Sequence, residues 1–277
     1  FRSAVQSSVF PATCYVPFEV SPQDWALSLA LPVITLAVGG AAFIARQTRA
    51  SMLEALQQAG ADNDVRAVLL TGEGRAFCVG ADMKEHGAGE RTPYQRRQYL
   101  QLGNDVCEAI FRLNKPVVAA INGYALGAGA EMACSCDFVL MAENAKIGFP
   151  EVSIGTCVGG GVTQFLPRLV GLAKARELIF LGDKIDGAEA AEIGMVTRTV
   201  SDERLQEEGD AFIARLASKA PVSMKLVKKL LNNASHTDLD AQLQCELDGV
   251  FMCTTTQDWQ EGVDAFAEKR SPVFKGC

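Results

Sequence analysis

Two glutamates, Glu131 and Glu151, stand twenty residues apart, each just after a glycine-rich or proline-marked bend. Upstream lies a second tight bend, Cys78-Val79-Gly80-Ala81-Asp82. Two carboxylates in an apolar cleft can share a water, one removing its proton while the other protonates carbon. Two bends can point backbone N–H groups at one carbonyl oxygen and hold the negative charge that develops there. Together these parts describe addition of water across a double bond conjugated to a carbonyl. Each alone also has a plainer reading. A single glutamate reads as a surface acid or a cap on backbone donors, and a small-residue bend as a close-packing device.

The elements around these residues decide between the readings. Gly80 permits a sharp turn that a Cβ would obstruct, leaving the N–H groups after it outside sheet pairing. The run Asn122-Gly123-Tyr124-Ala125-Leu126-Gly127-Ala128-Gly129-Ala130-Glu131 follows an apolar strand and leads into an apolar helix. The first N–H groups of a helix lack partners within it, and its dipole favours negative charge. The N–H groups of Ala81 and Ala128 are therefore the expected oxyanion donors, each worth roughly 3–4 kcal/mol. Glu151 follows Gly148-Phe149-Pro150, a strand end or turn directed at the same cleft. Gly155–Gly161 (GTCVGGG) offers another N–H, at Gly159, to position the water. That run is not G-x-G-x-x-G and implies no dinucleotide site.

Apolar periodicity predicts a helix over Gln47–Ala59 closed by Gly60, and short buried strands at Val65–Leu70, Val117–Ile121 and Phe138–Met141. Glu85–Arg97 is polar and reads as a loop beside the site, followed by a helix over Tyr99–Leu113. Helices are predicted over Leu169–Leu181, Asp202–Ser218, Pro221–Asn233, Asp238–Thr254 and Asp258–Lys269. Alternation of strand and helix followed by helices alone indicates an α/β core with a helical C-terminal region. The boundaries drawn are an N-terminal extension over 1–24, a core over 25–200 and the helical region over 201–277.

Composition narrows the function classes. With 277 residues, 48% apolar and 21% charged, the chain can bury a substantial core. A net charge of −7 argues against nucleic acid as a main partner. The nine cysteines include no C-x-x-C pair, and only His86 and His236 are available as imidazole ligands, so no metal site is expected. Buried, reduced thiols in a reducing compartment are the reading for the cysteines. Residues 1–18 carry Arg2, several serines and threonines and no acid, as in the remnant of an organelle-import sequence. A mitochondrial matrix protein is expected on that reading, a cytoplasmic one if no import processing occurred. Trp25–Ala45 has no charged residue, but Pro32, Gly39 and Gly40 interrupt it. Leu27-Ser28-Leu29 and Val33-Ile34-Thr35-Leu36 read as short strands, so a buried hairpin is predicted and no membrane span.

Several segments resemble the crotonase (enoyl-CoA hydratase/isomerase) superfamily. They are Arg75-Ala76-Phe77-Cys78-Val79-Gly80-Ala81-Asp82-Met83-Lys84-Glu85, Lys115-Pro116-Val117-Val118-Ala119-Ala120-Ile121-Asn122-Gly123, Phe149-Pro150-Glu151, and Phe266-Ala267-Glu268-Lys269-Arg270-Ser271-Pro272 through Phe274-Lys275-Gly276. The similarity runs from about Val65 to Gly276, in order. It implies a spiral of ββα turns with a helical C-terminal region that forms a homotrimer, or a hexamer as a dimer of trimers. It also implies Ala81 and Ala128 as donors to the thioester oxygen, and glutamates at both hydratase positions, Glu131 and Glu151. Coenzyme A would meet Ala81, Asp82 and Met83, with Phe274 and Lys275 reaching CoA on a neighbouring subunit. Ala128 and Ala130 stand where the family commonly has glycine. Ala37–Arg46 lacks the family's Asn-Arg-Pro and Asn-Ala-Leu segment.

The leading expectation is an enzyme of fatty acid metabolism: an enoyl-CoA hydratase that converts a trans-2-enoyl-CoA to a 3-hydroxyacyl-CoA. Glu131 is the base towards water and Glu151 the acid towards the α-carbon, with no cofactor beyond the acyl-CoA substrate. The alternatives are an enoyl-CoA isomerase with Glu151 shuttling the proton, or a non-catalytic crotonase-fold subunit of a larger mitochondrial assembly. The apolar N-terminal segment favours the last.

Overall fold

A computed structural model describes residues 34–38, 49–80 and 92–277. The chain climbs through repeated β–β–α turns, each adding one strand to each of two sheets. The first comprises β2 (Val65–Thr71), β3 (Ala76–Cys78) and α2 (Pro93–Arg112); the second β4 (Val117–Ile121), β5 (Tyr124–Leu126) and α3 (Ala128–Ser135). The third runs through β6 (Phe138–Ala142), β7 (Lys146–Gly148), a 3-10 turn at Pro150–Ile154 and α4 (Val162–Leu181). β8 (Lys184–Asp186), α5 (Gly187–Glu192) and β9 (Arg198–Val200) complete the sheets. With β1 (Ile34–Val38) at one edge, their orders are β1-β2-β4-β6-β9 and β3-β5-β7-β8.

The longer strands lie in the first sheet, where β4 and β6 are continuously apolar. All five residues of β4 are buried, as expected of a strand covered on both faces. β2, β4, β6 and β9 run parallel. β1 (Ile34–Val38) pairs antiparallel with β2, Ile34 opposite Leu70. It is the only part of the expected Trp25–Ala45 hairpin within the described residues; Leu27–Leu29 lies outside them. No helix among the described residues is long and apolar enough to cross a membrane.

In the second sheet β3, β5 and β7 are three residues each and mutually parallel, with β8 antiparallel to β7. Strands this short leave no periodicity to read; only the end of β7, at Gly148, falls where the sequence reads as a strand end or turn. Asn122 stitches two successive corners, accepting the Gly72 N–H at 3.1 Å and donating to the Gly74 carbonyl at 3.0 Å. The main core includes Leu69, Ile121, Leu140, Phe149, Leu166 and Ile213. A second cluster joins α1 (Arg49–Ala61) and α2 to the sheet through Leu56, Val68, Val106 and Ile110.

Several boundaries differ from expectation for local reasons. The Gln47–Ala59 helix is Arg49–Ala61 and runs through Gly60. Part of the expected Glu85–Arg97 loop is helix: α2 begins at Pro93, behind a capping box in which Thr92 and Gln95 satisfy each other's backbone N–H. Residues 85–91 lie outside the described residues. The Leu169–Leu181 helix begins earlier, at Val162, and Gly171, at φ +76°, breaks α4 into two abutting helices.

α6 (Leu205–Ala217) belongs to the core, where Leu205 and Ile213 are buried. α7 (Pro221–Asn233) is tied down by Lys228, whose Nζ donates to Asp137 Oδ2 at 2.7 Å and to the carbonyls of Ile110 and Lys115 at 3.2 and 3.1 Å. α8 (Leu239–Thr254) exposes Leu239, Leu243, Leu247, Val250 and Phe251. α9 (Gln257–Glu268) carries the buried Asp258, which accepts the N–H groups of Lys275 and Gly276 at 2.6 and 2.8 Å.

None of the eight described cysteines is in a disulfide. The expectation that they are buried holds for Cys107 and Cys134, whereas Cys157, Cys245 and Cys277 are exposed because they lie on a loop, on the open face of α8 and at the tail. No cluster of three or more metal-ligating side chains occurs among the described residues.

Candidate active site

Three parallel neighbours, β3, β5 and β7, all discharge at the same edge of the second sheet. Beyond β3 comes the Gly80 bend, beyond β5 the start of α3, and beyond β7 the Pro150–Ile154 turn. Segments far apart in sequence thus meet outside the carboxyl ends of adjacent strands, where α/β folds place ligands.

The first two bends touch. Gly80 has φ +90°, a conformation that disfavours a side chain, and a Cβ there would lie 3.7 Å from the Ala128 nitrogen. Ala128 is the first residue of α3, so its N–H has no acceptor inside the helix. Lys269 is the only non-glycine residue with positive φ among the described residues, so alanine at 128 and 130 costs no backbone strain. Ala81, Asp82 and Met83 lie outside the described residues.

Both glutamates reach the N-terminal end of α3. Glu131 is in its first turn and Glu151 in the first turn of the 3-10 segment; each is only 8% exposed. Glu151 arrives against Gly127, where a Cβ would sit 2.8 Å from Oε1. Its Oε2 is buried with no hydrogen-bond partner among the described residues. Burial is the main force holding the Glu151 carboxyl above its ordinary pKa; a hydrogen bond from its own backbone opposes the shift and the Glu131 charge adds to it. The shift is in the direction an acid needs.

Glu131 meets different surroundings. The Gly159 N–H donates to its Oε1 at 2.5 Å. The Gly159 N–H expected to position the water is bonded here to this carboxylate. A hydrogen bond to the ionised form favours that form. The adjacent Gly160 N–H donates to Asn104 Oδ1 at 2.9 Å, a contact between α2 and the glycine loop that no local pattern announces. Cys134, on the same helix as Glu131, has its thiol pushed up to about 12, chiefly by burial and then by Cys107 and Glu131. That sulfur is an inert packing group.

Phe274 and Lys275 are on the C-terminal tail. The Phe274 carbonyl accepts from the Arg66 guanidinium at 2.7 Å, and its ring lies beside Gly262 of α9. Glu131, Glu151, Ala128 and Gly159 form one cluster; Phe274 and Lys275 occupy a separate, clamped strand of backbone.

Fold and site define a spiral ββα protein with two buried carboxylates beyond the strand ends. A model of the enoyl-CoA hydratase/isomerase family matches residues 32–277, and the chain belongs to that family, the crotonase superfamily. It is 38% identical over 230 residues to a crotonyl-CoA hydratase of Syntrophomonas wolfei, spanning 83% of this chain and 88% of the relative. It is 37% identical over 230 residues to an Arabidopsis thaliana protein named "Probable enoyl-CoA hydratase 2, mitochondrial", with 81% and 76% covered. A crystal structure of an enoyl-CoA hydratase from Bacillus anthracis superposes with a TM-score of 0.80 at 37% identity, over 83% of this chain and 88% of that one.

Proposed function

We propose that this chain is an enoyl-CoA hydratase, adding water to a trans-2-enoyl-CoA to give a 3-hydroxyacyl-CoA. The observation that carries the proposal is the contrast between two buried carboxylates at one helix start. Glu131 Oε1 accepts the Gly159 N–H, whereas Glu151 Oε2 is buried with no hydrogen-bond partner among the described residues and burial raises its pKa. The relatives named as hydratases support the same reading.

In the reaction Glu131 takes a proton from water as the oxygen bonds to the β-carbon. The π electrons move towards the thioester, and the enolate oxygen is held by the N–H groups of Ala128 and Ala81. Glu151 then delivers its proton to the α-carbon, and return of a proton from Glu131 to Glu151 through solvent resets the pair. The step needs no cofactor beyond the acyl-CoA substrate. Ala81, Asp82 and Met83 would meet the CoA, with Phe274 and Lys275 of an adjacent subunit completing its site. Residues 25–200 form the catalytic core in this reading, and 201–277 build a homotrimer. Supporting that, Leu239, Leu243, Leu247 and Phe251 expose one apolar stripe along α8. A mitochondrial matrix location agrees with the name of the Arabidopsis relative.

An isomerase needs one carboxylate to shuttle a proton; the braced second carboxylate favours hydration. Spectrophotometric loss of the conjugated enoyl thioester of crotonyl-CoA tests the proposal. A folded protein that leaves crotonyl-CoA intact yet interconverts 3-enoyl and 2-enoyl thioesters would overturn it.

A further inference from the structure

We infer that Asn104 is a positioning residue for the reaction, acting through Gly160 and Gly159 to aim Glu131; the inference rests on the hydratase reading above. Successive N–H groups of the glycine loop have different acceptors: Gly159 donates to Glu131 and Gly160 to Asn104. Between those two donors lie the torsions of a single glycine, the residue type with most backbone freedom to lose. Gly160 and Gly161 follow at φ +59° and +79°. A run of three glycines keeps one geometry only if it is held from outside, and Asn104 is the side chain that holds its middle.

The fit around Gly160 is close. A Cβ there would come within 2.8 Å of both Cys107 Sγ and Glu131 Cβ. Cys107 stands three residues after Asn104, on the same face of α2, so one helix face meets the loop beside Glu131. Asn104 supplies an acceptor without a charge. Its Oδ1 and Glu131 Oε2 lie 3.3 and 3.6 Å from the place a Cβ on Gly159 would take. A carboxylate in place of the amide would keep the acceptor and set a second negative charge beside the base. Asn104 is an exposed residue, so replacing it leaves no core cavity.

Two variants separate positioning from mere packing. Asn104→Leu removes the acceptor; kcat on crotonyl-CoA should fall about 10-fold or more, KM staying within about twofold, because small misplacements of a catalytic group are costly. Asn104→Asp restores the acceptor and should recover most of kcat at high pH. Its acidic limb of kcat/KM, which reports ionisation of Glu131, should move up by about one pH unit. Glu151 from the 3-10 turn, Cys134 on the same helix and Cys107 from α2 also face this region, and all are unchanged in the variant. Hydrogen exchange over residues 157–162 provides a readout independent of turnover: faster in Asn104→Leu, near wild type in Asn104→Asp. If wild-type protein does not hydrate crotonyl-CoA, the hydratase reading fails and the exchange result alone decides the loop anchor. Unchanged kcat in Asn104→Leu, an unmoved limb in Asn104→Asp, or equal exchange in both would overturn the inference.

Discussion

Glu131 and Glu151 carry the same functional group, and their neighbours divide the labour. A backbone N–H at 2.5 Å steadies the charge of Glu131, whereas Glu151 has one oxygen buried without a partner among the described residues. Glu151→Gln should lower hydration by at least ~10²-fold, since an amide cannot deliver the proton; near-wild-type turnover would exclude Glu151 as the acid. Stability should respond in the opposite direction. A carboxyl whose folded-state pKa lies above the ordinary 4.5 binds more protons folded than unfolded. The wild-type protein therefore loses stability as pH rises from that ordinary value through the raised one. Glu151→Gln has no such loss, so its Tm advantage over wild type should be absent below about pH 4.5, grow as pH rises through the raised pKa and level off above it.

At the level of elements, the start of α3 and the seat of α7 matter most. Ala128 is the first helical residue, a position where proline fits the helix because the lost N–H has no helical acceptor. Ala128→Pro should therefore fold and yet lose about 10²–10³-fold in kcat, while Ala128→Gly retains the donor and most of the activity. Equal activity in two variants with matching circular dichroism would show that this amide does not hold the enolate. α7 depends on a buried cation. Lys228 is 8% exposed and satisfies Asp137 and two carbonyls, so Lys228→Ala leaves a desolvated carboxylate behind. Urea unfolding should show a loss of about 3 kcal/mol.

At the scale of the whole molecule, α8 carries an exposed apolar stripe. Leu247 is 61% exposed and Phe251 68%, an apolar row of the kind that marks a contact surface. If the proposed trimer forms through this stripe, Leu247→Glu should give monomers in light scattering and leave the far-ultraviolet circular dichroism unchanged. A trimer that survives this substitution would place the interface elsewhere.

What the sequence determined by itself lies where the signal is local. β4 and α7 match their apolar runs residue for residue, because a continuous buried strand and an amphipathic helix with proline at its first position announce themselves. Glu131, Glu151, Ala128 and the Gly80 bend were legible because glycine and proline punctuate the chain beside them. Only the tertiary structure decided how those residues act. β3, β5 and β7 have three residues each, too few for a period, and it is their parallel pairing that brings the three bends to one edge. The Gly159 N–H bonding a carboxylate, and Asn104 holding Gly160 from 56 residues away, depend on α2 packing against the glycine loop. Bonds of that kind are made between surfaces, and a surface exists only after the strands have paired.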